Sequence, residues 1–227
     1  MPAPAQRMPL PSRLLTAAET AALDARVAAA ETRVGVELVA MVAERASHYP
    51  QIPWKAFAFG TALGGLAVVV GDLLRPDWIG VASALVPVLV VLGAGAALAV
   101  ATVVAPAVAR WFLRRQRRDF ETRRYAELMF RRRGVDATRT RTGVLVVVCV
   151  FERRIEIVAD RAFDDRVTAA EWAAALASVA ARPGVARPAA VLLEAIGAVE
   201  RVLVAKGFAA SRDATNELPD RPREERG

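Results

Sequence analysis

Residues 79–108 run for 30 positions without a charged side chain. As a helix rising about 1.5 Å per residue, that run is about 45 Å long, more than the roughly 30 Å hydrocarbon core of a bilayer. It is therefore read as a membrane span that tilts, kinks or emerges from the lipid, with Pro87 and Pro106 as the places for a kink or an end. Residues 57–74 are 18 long with one charge, Asp72, near their end, and match the same thickness. Only residues 75–78 separate the two runs. The expectation is a transmembrane hairpin over about 56–109, both outer ends on one side.

Lysines and arginines beside the spans orient such a hairpin, because cytoplasmic flanks carry the excess. The short connection offers Arg75 alone; the outer flanks offer Lys55, Arg110, Arg114, Arg115, Arg117 and Arg118. Both termini are thus expected in the cytoplasm, in the inner membrane of a bacterial cell. The N-terminal stretch lacks the uninterrupted apolar core of a secretion signal, consistent with that side. A single cysteine, Cys149, inside a valine run, reads as a small buried hydrophobe and excludes an intramolecular disulfide.

Net charge is +7, and its placement decides what it means. Residues 110–133 hold ten arginines against Asp119, Glu121 and Glu127, which accounts for the whole excess. A general nucleic-acid binder would spread basic charge over a folded face, so nucleic acid is not expected as a partner. The cluster, Arg114, Arg115, Arg117 and Arg118 above all, follows the second span directly and suits anionic headgroups, at about 1 kcal/mol per basic residue near the surface. With neither Gly nor Pro before Gly134, it is expected to prolong the second span as one helix, with Tyr125, Leu128 and Met129 turned inward. Gly60 with Gly64, and Gly93 with Ala97, permit close helix approach, within the hairpin or in a homo-oligomer.

The remaining pattern is that of a soluble domain split into residues 14–50 and 110–208. Thr16 and Glu19 form a capping box before Leu23, Val27, Ala30 and Val34; Gly35 ends that helix and residues 36–42 read as a strand. Residues 144–151 are apolar but far too short to span, and are bounded by Gly143 and by Glu152, Arg153 and Arg154. They read as a central strand paired in a hairpin with residues 154–160. A second capping box, Thr168 with Glu171, and Pro188 open two more helices, carrying Leu176 and Val179, then Leu192, Ile196, Val199 and Leu203. Helices covering a small sheet make the fold α/β, and residues 209–227 read as a polar, mobile tail.

The stretches LTAAETAALDARVAAAETRVGVELVAMV, RTGVLVVVCVFERRIEIVADRAF and NELPD together resemble the TPM domain, whose members include thylakoid-lumen, photosystem-repair and receptor-modulating proteins. The resemblance covers residues 14–50 and 112–220 and is strongest to a bacterial branch in which a transmembrane hairpin interrupts the domain after its first strand. It implies an α/β/α sandwich. Plant members are associated with acid phosphatase activity and calcium binding. Asp160 stands where the secreted branch has a Gly-containing turn, and Ala162 where similar membrane members carry Gly.

Asp160, Asp164 and Asp165 fall within six residues at a strand end, and carboxylates are what Ca²⁺ or Mg²⁺ requires. The same acids also suit a solvated loop ahead of the helix at Thr168. His48, the only histidine, has no orienting partner in the sequence and reads as interfacial. No phosphate loop, nucleophile elbow, zinc spacing or dinucleotide fingerprint occurs. Two functions remain: a membrane-tethered interaction or scaffolding module that docks a membrane or cytoplasmic protein, and a metal-dependent phosphatase at the membrane surface.

Overall fold

The computed structural model describes residues 14–74, 81–137, 141–180, 187–209 and 223–225. The chain forms two units, one gathering Met1–Ala46 with Glu121–Gly227 and the other Ser47–Phe120.

In the first unit the capping box at Thr16 is made: the Glu19 amide donates to the Thr16 hydroxyl at 3.2 Å, and the Thr16 amide donates to the Glu19 carboxylate at 2.8 Å. It opens α1 (Ala17–Val34), whose buried residues are Leu23, Val27, Ala30 and Val34, spaced to share one face. Gly35 closes it at φ 65°, a left-handed conformation that a Cβ would strain. The chain then enters β1 (Glu37–Ala43). β2 (Gly143–Cys149) lies beside it in parallel over seven residue pairs, from Glu37 with Gly143 to Ala43 with Cys149. β3 (Arg154–Ala159) returns antiparallel to β2, as the short separation requires.

All seven residues of β2 are buried, the mark of a central strand covered on both faces. Alternation divides the packing. Val144, Val146 and Val148, with Leu38, Ala40, Val42 and Ile157, pack with α1 and with α7 (Pro188–Ala205) through Leu192, Ile196, Val199 and Leu203. Leu145, Val147 and Cys149, with Met41, Ala43 and Val158, pack with Ala126, Met129 and Phe130 of α5 (Arg115–Arg132). Val158, on the same side of β3 as Arg154 and Glu156, is buried because α5 covers that side. α6 (Ala169–Ala180) starts at the second capping box, where the Thr168 amide donates to the Glu171 carboxylate at 2.8 Å.

A fourth strand, β4 (Arg223–Glu225), pairs in parallel with Met41, Val42 and Ala43 at the free edge of β1, giving the order β3-β2-β1-β4. This corrects the reading of residues 209–227 as wholly mobile. Backbone groups at an open edge accept a strand of almost any composition, so a charged Arg-Glu-Glu sequence carries no signal of it. The NELPD segment, residues 216–220, lies outside the described residues.

The second unit is the helical hairpin, α2 (Gln51–Leu74) and α3 (Val81–Val104), each long and apolar enough to cross a membrane. The connection at residues 75–80 lies outside the described residues. Close packing falls on Gly60, Gly64 and Gly95: a Cβ at Gly60 would meet the Ala94 carbonyl oxygen at 2.6 Å, and one at Gly95 would meet Thr61 at 2.5 Å. Gly93, expected to serve that role, has open space instead. Pro87 lies within α3 without ending it. Pro106 marks the end: Ala105 is extended, and α4 (Pro106–Trp111) begins there, because proline lacks the amide needed to continue the ladder. A second interruption at Phe112 to Arg114 precedes α5. The span and the arginine-rich segment are thus three helices, not the one expected from the absence of Gly and Pro after residue 106.

Candidate functional site

Two places carry the residues singled out from the sequence. The first is the acidic segment after β3. Asp160 is 4% exposed; its amide donates to the Gly143 carbonyl at 2.9 Å, and its Oδ1 accepts from the Arg161 amide at 2.7 Å. The carboxylate thereby caps a single 3₁₀ turn, Arg161–Phe163. Phe163 at the end of that turn is buried against Trp172 and Phe208, with ring centroids 6.4 and 5.1 Å away. This anchor leaves Asp164 and Asp165 exposed to solvent while Asp160 points inward. The three carboxylates do not converge, and among the described residues no three His, Cys, Asp or Glu side chains form a group that could hold a metal. A hard divalent cation gathers about six oxygens, so Asp160, Asp164 and Asp165 as they stand do not fit Ca²⁺ or Mg²⁺. What distinguishes Asp160 is its Oδ2, which is buried and finds no hydrogen-bond partner among the described residues.

The second place is the junction of α4 and α5. Trp111 and Trp54 are 72% and 75% exposed, and Phe59 of α2 meets Trp111 and Phe112 edge-on at 5.8 and 6.0 Å. Exposed tryptophans at the ends of apolar helices are the side chains that settle at headgroup depth, one part of the ring apolar and one part wet. Beyond them, Arg114, Arg115 and Arg117 are exposed and Arg118 is half-buried. The amides of Arg117 and Arg118 both donate to the Arg114 carbonyl, so Arg114 immediately precedes α5 and Arg115, Arg117 and Arg118 lie in its first turn. No acid accompanies them there. Cations at a helix N-terminus oppose the macrodipole, and an anion at that end of the helix offsets both.

Two residues of note were not singled out by sequence reading. Glu152 is fully buried in the β2–β3 turn and accepts from the Ala46 amide at 3.1 Å, fastening the end of β1 to that turn. In sequence it reads as an ordinary turn acid, one of three charges in a row. Leu128, expected to face inward with Tyr125 and Met129, is 48% exposed; Thr122, Ala126, Met129 and Phe130 are the residues that α5 buries. Helical periodicity admits both stripes, and only the position of the sheet decides between them. Cys149 is buried and burial raises its thiol pKa, with Glu152 and Glu156 adding to the effect, which removes the thiolate needed for reactivity. His48 is exposed.

The chain is similar in fold to BA42 protein from the psychrophilic bacterium Bizionia argentinensis, whose NMR structure superposes with a TM-score of 0.54 at 15% identity, covering 96% of this chain and 100% of that one. The likeness is one of fold. No family model matches the sequence, and no curated protein matches it.

Proposed function

We propose that this chain is an integral membrane protein that presents a TPM-like α/β/α sandwich on the cytoplasmic side of a bacterial inner membrane, where it serves as a tethered interaction or scaffolding module. The observation that carries the reading is the place of the two span-length helices, between β1 and β2 of a single sheet. Two strands hydrogen-bonded over seven pairs must lie on one side of a bilayer, so an even number of crossings between them is the arrangement that supports both a hairpin and a folded domain. The excess of arginine at the outer ends favours the cytoplasmic face. Arg114, Arg115, Arg117 and Arg118 would then meet anionic headgroups, and the helices on both sheet faces are what the sandwich of the TPM family leads one to expect.

The competing reading, a Ca²⁺- or Mg²⁺-dependent phosphatase, rests on the buried second oxygen of Asp160. Among the described residues no nucleophile is held beside an activating base. The test is hydrolysis of an aryl phosphate by the detergent-purified protein, with and without each cation, beside Asp160→Asn. Equal and negligible rates support the module; metal-dependent turnover lost in the variant overturns it and puts a hydrolytic site at the end of β3.

A further inference from the structure

Building on that membrane anchoring, we propose that the outer face of α5 is itself a lipid-binding surface, seated in the plane of an anionic leaflet through Phe120, Arg124, Leu128 and Arg131. The four recur at intervals of four, four and three residues and, at about 100° per residue, fall within an arc of about 80°. The buried residues of α5 occupy the opposite side. Phe120 is 63% exposed and Leu128 48%, two large apolar side chains facing outward on a helix otherwise rich in charge. The helix is not free to roll them inward. Its inner side is held to β3 by the Thr122 hydroxyl, which donates to Glu156 at 3.0 Å, and by the Arg123 guanidinium, which donates to the Ile157 carbonyl at 2.9 Å.

Charge and continuity select the occupant. Between and beyond the two apolar anchors the stripe carries only arginines; of the acids that flank it, Glu127 is paired with Arg123 at 2.8 Å on one edge and Glu121 is half-buried on the other. An apolar ridge interleaved with guanidinium groups matches the headgroup boundary of a membrane, where the rings and methyls reach the acyl carbons and the arginines meet phosphates. α5 also starts at Arg115, shortly after the second span ends at Val104, so the same bilayer is within reach of its first turn. The soluble domain is then held against the leaflet by a face, in addition to being tethered by a chain.

The experiment uses the full-length protein with Cys149→Ala, reconstituted into vesicles and spin-labelled in turn at Phe120→Cys, Leu128→Cys, Ala173→Cys on α6 as the water reference and Leu66→Cys on α2 as the lipid reference. In vesicles containing anionic lipid, collision with an aqueous nickel chelate is expected to fall several-fold at positions 120 and 128 relative to 173. Adding Arg124→Glu with Arg131→Glu, or using purely zwitterionic vesicles, is expected to restore it. Labels at 120 and 128 as accessible as 173, with 66 lipid-exposed, overturn the inference and leave the anchoring intact. Protection that persists without anionic lipid and without the arginines also overturns it, pointing to a protein partner on that face. A water-exposed label at 66 overturns the anchoring and the inference with it.

Discussion

Glu200 of α7 is held between two arginines of α1: its buried carboxylate accepts from Arg26, and its other oxygen lies 2.8 Å from Arg33. Both arginines reach solvent while the acid does not, so the acid is the member whose desolvation must be offset. Glu200→Ala leaves the two guanidinium groups of α1 without their shared acid at the α1–α7 contact and is expected to destabilise the protein by about 2 kcal/mol. Arg33→Ala, which removes only the more exposed partner, is expected to cost less than about 1 kcal/mol. Denaturant unfolding of the two variants in detergent, compared with the parent, checks the order.

The hairpin offers a paired experiment on glycine. A Cβ at Gly60 would sit 2.6 Å from a backbone oxygen of α3, and backbone cannot move aside as a side chain can. Gly60→Leu is expected to loosen α2 from α3, lowering the midpoint of thermal unfolding in detergent. Gly65→Leu and Gly93→Leu, where nothing lies within 4 Å, are expected to leave it unchanged. Equal effects at all three positions would contradict the packing described.

Glu171 joins α6 to the end of α7. Its carboxylate lies 2.6 Å from Lys206 Nζ and caps the first turn at Thr168; these hydrogen bonds hold its pKa at about 2 against an ordinary 4.5. A folded value below the unfolded one means the contribution is full above about pH 4.5 and is lost as pH falls through that window toward 2. The difference in melting temperature between the parent and Glu171→Gln is therefore expected to be present at neutral pH and to vanish on acidification. A difference that stays constant from neutral pH to pH 2 would sink the assignment.

Removal of residues 210–227 takes away β4 and reopens the edge of β1. The remaining sheet keeps all its β1–β2 and β2–β3 pairs, so the truncated protein is expected to fold. Hydrogen exchange should rise at amides within Met41–Ala43 that face β4, and stay unchanged along β2. Unchanged exchange at the edge would mean that β4 adds no protection there.

Much of the domain was legible because local chemistry and global packing agree in it. Thr16 with Glu19, and Thr168 with Glu171, announce helices that the structure contains, and Leu23, Val27, Ala30 and Val34 form the face they were assigned. The length of residues 144–151 sufficed to separate a strand from a span. Failures cluster where the deciding contact is distant. Leu128 and Met129 are neighbours in sequence, and which of them is buried depends on a sheet completed elsewhere in the chain. Ala105 and Phe112 to Arg114 contain no residue that compels a break beyond the proline at 106. The acidic segment was legible as a cluster in sequence, but Phe163 turns its members to opposite sides, and one-dimensional spacing contains no such anchor.

The parallel pairing of β1 with β2 has a consequence for biogenesis. Parallel neighbours require a crossover, usually through a helix, and here α5 supplies that helix while α2 and α3 are spliced into the same crossover. During synthesis β1 emerges long before its partner and cannot be paired until both hydrophobic helices have been made. If only one of them is integrated, β1 and β2 are stranded on opposite sides of the bilayer and no sheet forms. If the two helices span a membrane as proposed, folding of the domain acts as a checkpoint against single-span insertion, since a molecule with one crossing cannot acquire a protease-resistant core.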